Sequence, residues 1–376
     1  VKELMRVSIV VGTRPEAIKL APLIHELKKR NVTLSVCKTG QHTDMVDSVF
    51  RVFDITADVD FSIMGQTENL NDTIALLLQK FQTYFSEFKP DLVFVQGDTV
   101  SVFAGAVAAF NLQIEVAHVE AGLRTGNIAS PWPEEGFRSM VSPITRYHFA
   151  PTTQSAENLR RAGVPDKNIF VTGNTVIDAL RIAQNIIEQK QKILHLPEEV
   201  LDSKNTKRIL ITGHRRENFG EGLDNLCKAI ARLAERYGDI DFIFPVHLNP
   251  VVQEQVKTFF VEKHIKNVIL IEPQHYLEFI WLMKNSFLIV TDSGGIQEEA
   301  PGLGKPVLVT RNTTERPEGV VAGTVKLVGT SEASLFDAVC GLLDNKEAYR
   351  AMAMAKNPYG DGQASQRIVE EIFHHI

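Results

Sequence analysis

The sequence predicts an α/β protein built from two doubly wound, mostly parallel sheets. Short β-branched runs alternate with amphipathic helical runs from Val7 onward. The alternation breaks at a polar, turn-rich stretch, L-P-E-E-V-L-D-S-K-N-T-K, and begins again at Arg208. A chain of 376 residues is long enough for two such domains. The expected division gives residues 1–175 to a first domain and 176–359 to a second, with the tail 360–376 crossing back to the first.

The elements follow in order. Val7–Val11 is a β-rich run and Ala17–Arg30 has helical spacing; Thr33–Lys38 is a second strand. Leu70–Phe88 is a long amphipathic helix that Lys89-Pro90 ends. Leu92–Val95 and Ile114–Val119 are strands around the small-residue helix Val100–Phe110, and Tyr147–Ala150 and Ile169–Val171 are shorter strands. Ile177–Leu194 is a long helix. The second series has strands at Arg208–Thr212, Phe242–Val246, Val268–Ile271, Phe287–Thr291 and Pro306–Val309, with helical runs between them.

Composition narrows the class. Hydrophobic residues make up 44% and charged residues 23%, the proportions of a soluble globular protein. A net charge of −6 without a basic tail gives no support for nucleic-acid binding, and no apolar run reaches membrane-spanning length. The N-terminal residues enter a strand without signal-peptide architecture. Cys37, Cys227 and Cys340 are far apart and odd in number, which fits buried thiols in a reducing cytoplasm, and no Cys/His spacing suggests zinc.

The stretch F-L-I-V-T-D-S-G-G-I-Q-E-E-A, Phe287 to Ala300, is a strand, a tight turn and a helix start. The N–H groups at that helix start favour an anion, so Ser293, Gly294 and Gly295 are placed on a diphosphate and Glu299, a turn later, on a ribose. Alone, the stretch is equally an ordinary turn capped by Ser293. The first strand ends in G-T-R-P-E-A-I-K, which is not a dinucleotide fingerprint. Arg14 and Lys19 there face the crevice where open α/β sheets bind ligands. Asp98 in Q-G-D-T, Glu120 in H-V-E-A-G-L-R and Glu134 in S-P-W-P-E-E-G-F-R come from separate loops. Converging like charges raise at least one pKa, which suits an acid and a base working together. Singly, Asp98 also suits a helix cap and Glu120 a salt bridge to Arg124. His214, in G-H-R-R-E-N, enters from the second domain, while the segment Q-H-Y-L-E-F, Gln274 to Phe279, offers an amide and an aromatic to a base. Arg316 follows a strand in a loop too charged for the core.

Taken in order from residue 12 to 318, these motifs resemble the non-hydrolysing UDP-N-acetylglucosamine 2-epimerases. The set is G-T-R-P-E-A-I-K-L-A-P, Q-G-D-T, H-V-E-A-G-L-R-T-G, P-W-P-E-E, G-H-R-R-E-N, T-D-S-G-G-I-Q-E-E and T-T-E-R-P-E. The resemblance implies a glycosyltransferase-B-like pair of Rossmann-like domains with a deep interdomain cleft, a homodimer, and interconversion of UDP-GlcNAc and UDP-ManNAc for surface polysaccharide synthesis. It implies no cofactor and no metal. It places Ser293, Gly294, Gly295, Glu299, Gln274, Phe279 and Arg316 on the nucleotide, and Arg14, Lys19, Asp98, Glu120, Glu134 and His214 on the sugar and its chemistry. Asp98, Glu120 and Glu134 are the acid/base set; His214 and Arg14 stabilise the leaving group.

Two departures stand out. Phe137 occupies a position where the family usually has Asn, which puts the sugar pocket in question. Gln41, His42 and Met45 match a second, activating nucleotide-sugar site of many bacterial members, but Asp44 and Thr67 replace its frequent Gln and Arg. The alternatives are a 2-epimerase for a UDP-diacetamido-uronic acid and, in another class, a UDP-sugar glycosyltransferase.

Overall fold

The structure, a computed structural model, describes residues 4–41, 43–189, 194–201, 205, 207–213, 220–263 and 265–375. It divides into two units: residues 1–182 with 359–376, and residues 183–358. The division falls inside the helix Thr175–Gln189, seven residues beyond the expected boundary.

Among the described residues, the first unit carries seven parallel strands: β1 (Arg6–Val11), β2 (Thr33–Lys38), β3 (Val59–Asp60), β4 (Leu92–Gln96), β5 (Glu115–Val119), β6 (Tyr147–Ala150) and β7 (Ile169–Val171). Their order is β3-β2-β1-β4-β5-β6-β7. β4, L-V-F-V-Q, is buried along its whole length, as a parallel strand covered on both faces must be. The covering helices are specified locally. Asn69 accepts the Asp72 N–H at 3.0 Å to start Leu70–Phe88. Lys89, in the left-handed conformation before Pro90, ends that helix. The helix Val100–Asn111 is nearly all small residues and packs closely, with a Cβ on Gly105 only 3.4 Å from the Phe81 ring. Phe61, Phe81, Tyr84 and Phe85 form one aromatic group in this core, each ring contributing about 2 to 3 kcal/mol by burial.

The last helix, Ala364–His375, belongs to this unit. Asp178 caps it, accepting the Ala364 and Ser365 N–H groups at 3.1 and 2.8 Å.

The second unit has six described parallel strands: β8 (Lys207–Ile211), β9 (Ile240–Pro245), β10 (Val268–Ile271), β11 (Leu288–Thr291), β12 (Val307–Val309) and β13 (Val325–Leu327). Their order is β10-β9-β8-β11-β12-β13. The strand order therefore reverses between β1 and β4 in one unit and between β8 and β11 in the other. Ligands of doubly wound sheets bind at such switch points, outside the carboxyl ends of the strands. No described helix is long and apolar enough to cross a membrane.

Candidate active site

At the first switch point, β1 runs into Gly12, Thr13 and the helix Arg14–Lys28. Pro15 is the second residue of that helix, where its missing N–H costs nothing. Gly12 has to be glycine, because a Cβ there would stand 2.3 Å from Ser101 Oγ on the neighbouring helix. Arg14 is partly exposed and, among the described residues, its guanidinium has no hydrogen-bond or ion-pair partner. Lys19 is buried and donates to Glu120 Oε1 at 2.6 Å.

Glu120 follows β5 with φ +63°, a left-handed conformation uncommon outside glycine. Its carboxylate is heavily engaged: Asn174 donates to Oε1 at 3.3 Å and Gln96, at the end of β4, donates to Oε2. Its cation is thus Lys19 rather than Arg124, which instead donates to the Leu123 carbonyl and Ser142. Asp98 does not cap the following helix; Thr99 does, accepting the Val102 N–H. Asp98 Oδ2 accepts Nε and Nη2 of Arg138, both at 2.7 Å. Its Oδ1 has no partner among the described residues, and the side chain is 23% exposed.

Arg138 also donates to Glu135 at 2.8 Å. Burial opposes its charge, but Asp98 and Glu135 hold its pKa above the ordinary value. Glu135 in turn receives the N–H groups of Thr125 and Gly126, fixing the loop before its helix. Glu134 opens the same helix, Glu134–Val141, four residues before Arg138 and so on the same face. It is partly exposed and has no described partner.

The three expected carboxylates thus do not simply repel one another. Glu120 and Asp98 each face a cation, and the carboxyl of this cluster whose pKa is raised is a fourth, Glu16. Burial, then the charge of Asp98, push it up to about 7 against the pull of Thr99, Gly12 and Thr13. His118, beneath the site in β5, is the reverse case: burial lowers it to about 4, so it is neutral. It donates through Nε2 to the Gly97 carbonyl at 2.7 Å. Phe137 points away from this polar cluster. It is buried and stacked on Phe103, ring centres 4.9 Å apart, so it belongs to the core.

At the second switch point, Thr212 and Thr291 hydrogen-bond across the gap between β8 and β11 at 2.6 Å. Beyond them Ser293 precedes the helix Gly294–Gly302; its N–H is held by Thr291, and its hydroxyl makes no capping bond. Gly294 and Gly295 do not take left-handed backbone angles, and a Cβ on either would meet nothing within 4 Å. Their small size leaves the helix N-terminus open. Glu299 is buried one turn on. Arg316, expected on the ligand, has its Nε on the buried carboxylate of Glu298, which ties its loop to this helix. Thr314 adds a second tie, donating to Gln297 at 2.6 Å. Gln274 and Phe279 lie partly exposed beyond β10, with Gln274 donating to the Glu272 carbonyl at 2.6 Å.

His214 and His42 lie outside the described residues. Gln41 accepts from Ser101 at 3.1 Å, and Thr67 shares a hydrogen bond with Thr73 at 2.7 Å. Of the residues that complete the first cluster, Glu16, Gln96 and Asn174 carried no separate expectation. Glu16 and Gln96 lie inside two of the quoted motifs, whereas Asn174 lies in none and only its contact with Glu120 marks it.

Two Rossmann-like units whose switch points hold a carboxylate–cation cluster and an open helix N-terminus define an α/β enzyme class of the glycosyltransferase-B-like type. The family model described as UDP-N-acetylglucosamine 2-epimerase matches residues 25–373. The chain belongs to that family. It is 50% identical over 372 residues to UDP-N-acetylglucosamine 2-epimerase of Escherichia coli K12, covering 98% of each chain. It is similar to the crystal structure of UDP-GlcNAc 2-epimerase from Neisseria meningitidis bound to UDP-GlcNAc, with 46% identity and a TM-score of 0.89, covering 98% of this chain and 100% of that one. The Methanocaldococcus jannaschii enzyme in complex with UDP-GlcNAc and UDP is 36% identical with a TM-score of 0.81, at 98% and 100% coverage.

Proposed function

We propose that this protein inverts C2 of UDP-GlcNAc to give UDP-ManNAc, reversibly. The hydrogen at C2 is not next to a ketone, so direct deprotonation is slow. The accessible route breaks the C1–O bond, with its electron pair leaving on UDP, while a carboxylate takes the C2 proton and a C1=C2 bond forms. Re-addition of UDP to this 2-acetamidoglucal, with a proton delivered on the other face, inverts the centre. Carboxylates supply the proton transfers. Cations and helix-end N–H groups stabilise the departing diphosphate.

The observation that carries this reading is the first switch point. Asp98 keeps one carboxylate oxygen uncommitted while Arg138 fixes the other, and Glu134 stands uncommitted on the helix that carries Arg138. We assign proton transfer to Asp98 and Glu134. Glu120 is the third member of the set, acting with Lys19 as its paired cation. Arg14 and His214 are assigned to the leaving group. Ser293, Gly294 and Gly295 hold the diphosphate, Glu299 the ribose, and Gln274 and Phe279 the uracil side. Arg316 contacts substrate from its Glu298 anchor, and Gln41 and His42 belong to a second nucleotide-sugar site. The homodimer, the cytoplasmic location and the supply of surface polysaccharide belong to the same proposal.

Incubation with UDP-GlcNAc alone in deuterated water tests it. NMR will show deuterium at C2 and a mixture with UDP-ManNAc. Unchanged substrate would sink the assignment, and free ManNAc with UDP would indicate a hydrolysing enzyme.

A further inference from the structure

The turn that carries Asp98 begins at Gly97, whose φ is +80°, an angle that glycine takes without strain. A Cβ on Gly97 would meet nothing within 4 Å, so crowding does not hold the turn on that side. Two hydrogen bonds from β5 hold it instead. The Gly97 N–H donates to the Val119 carbonyl at 3.1 Å, and the Gly97 carbonyl accepts Nε2 of His118 at 2.7 Å. A third tie runs the other way: Gln96, the last residue of β4, donates to Glu120, the residue after β5. The strand ends that present Asp98 and Glu120 are thus tied in both directions, in the register that pairs Gln96 with Val119. His118 itself is 1% exposed. A carbonyl only accepts, so Nε2 carries the proton and Nδ1 is a bare acceptor. Nδ1 has no partner among the described residues. A buried acceptor left unmet costs stability, which a leucine or phenylalanine would avoid. Filling the core therefore does not account for an imidazole here.

We infer that His118 is a positioning residue for Asp98. The Gly97–Asp98 peptide is planar, so holding its oxygen also holds the nitrogen and Cα of Asp98. Arg138 fixes the carboxylate at one end of that side chain, and His118 fixes the backbone at the other. The inference rests on the epimerase reading, in which Asp98 transfers a proton. Turnover is sensitive to such alignment, because displacing a reacting group by about 1 Å costs on the order of 100-fold.

The test compares His118→Phe, His118→Asn and His118→Gln with the wild type. Turnover of UDP-GlcNAc in deuterated water gives kcat, and calorimetry gives UDP affinity. His118→Phe keeps a ring without a donor, and His118→Asn has a donor too short to reach Gly97. Both are expected to lower kcat about 100-fold. UDP affinity should stay within about twofold, since its proposed holders share no partner with His118. His118→Gln carries an amide nitrogen at nearly the reach of Nε2. It is expected to keep kcat within about fivefold of wild type, the scale of one altered hydrogen bond. A double-mutant cycle adds a readout that a merely structural role would not move. In the Asp98→Asn background, His118→Phe should cost less than about threefold, because the group it positions is already lost. If His118→Phe fails to fold, the Asn and Gln pair decides, with Asn in the cycle. Wild-type kcat in the Phe or Asn variant, a Gln variant no better than Asn, parallel losses of kcat and UDP affinity, or additive losses in the cycle would overturn the inference. A wild type that shows no exchange removes the epimerase reading, and this inference with it. A wild type that exchanges beside an unimpaired Asn variant removes the inference alone.

Discussion

The two switch points occupy the same place in the same kind of sheet and are built in opposite ways. In the first unit the crevice residues are charged and largely satisfied by one another: Lys19 with Glu120, Arg138 with Asp98 and Glu135, Glu16 with its own turn. In the second, the described residues at the crevice include the Thr212–Thr291 hydroxyl pair and two glycines, and the helix N-terminus is left open beside the Arg316–Glu298 pair. The difference teaches how one topology serves two tasks. Groups that move protons need fixed positions, which ion pairs in a buried setting supply. A site for a diphosphate needs empty space in front of aligned N–H groups, which any side chain would fill.

The largest expected effect tests that division of labour. Asp98→Asn removes the carboxylate with the uncommitted oxygen and should lower kcat about 1,000-fold. UDP affinity, read by calorimetry, should barely change; equal losses in the two would make Asp98 a binding residue and erase the contrast. Next comes Lys19→Met, which leaves the buried Glu120 carboxylate without its cation. Chemical denaturation should show about 3 kcal/mol lost. A loss in activity with no loss in stability would mean that the pair is not structural.

Glu16 gives a pH-dependent effect of similar size. Its pKa rises from 4.5 to about 7 on folding, chiefly by burial. Between those values the unfolded chain has released the proton and the folded chain still holds it, so stability falls as pH rises. The contribution is complete below pH 4.5 and lost by about pH 7. Across the window wild type should lose about 3 kcal/mol relative to Glu16→Gln. Urea titrations of both proteins at several pH values would measure this, and a constant difference would show that Glu16 folds without a shifted pKa. The smallest effect is sharpest on the second unit. Gly294→Ala adds a methyl where nothing stands within 4 Å, so the melting temperature should hold or rise. UDP affinity should fall about tenfold, on the order of 1.4 kcal/mol. Intact affinity would mean that the diphosphate does not approach that backbone.

Most of the fold was legible because buried parallel strands are short apolar runs and their helices are long and periodic. β3 was not: it is two residues, and only pairing with Cys37 and Lys38 makes it a strand. β13, V-K-L, is an edge strand of three residues with an exposed lysine at its centre. The helix Glu134–Val141 hid behind two prolines and a glycine. Within the site, residue types at strand ends marked Arg14, Lys19, Asp98 and Glu120, since topology brings every such end to one edge of a sheet. Phe137 shows the limit. Its place in the motif does not say that the side chain packs into the core against Phe103.

The sequence by itself determined the sheet order's raw material, the two series of strand and helix, and the chemical groups at the carboxyl edges. Tertiary structure decided which groups meet. Glu120 with Lys19 and Asp98 with Arg138 are contacts between segments up to 101 residues apart. The physical reason is that a carboxylate's charge and pKa depend on what is buried against it. Only the packed sheet, which sets distance and excludes water, fixes that.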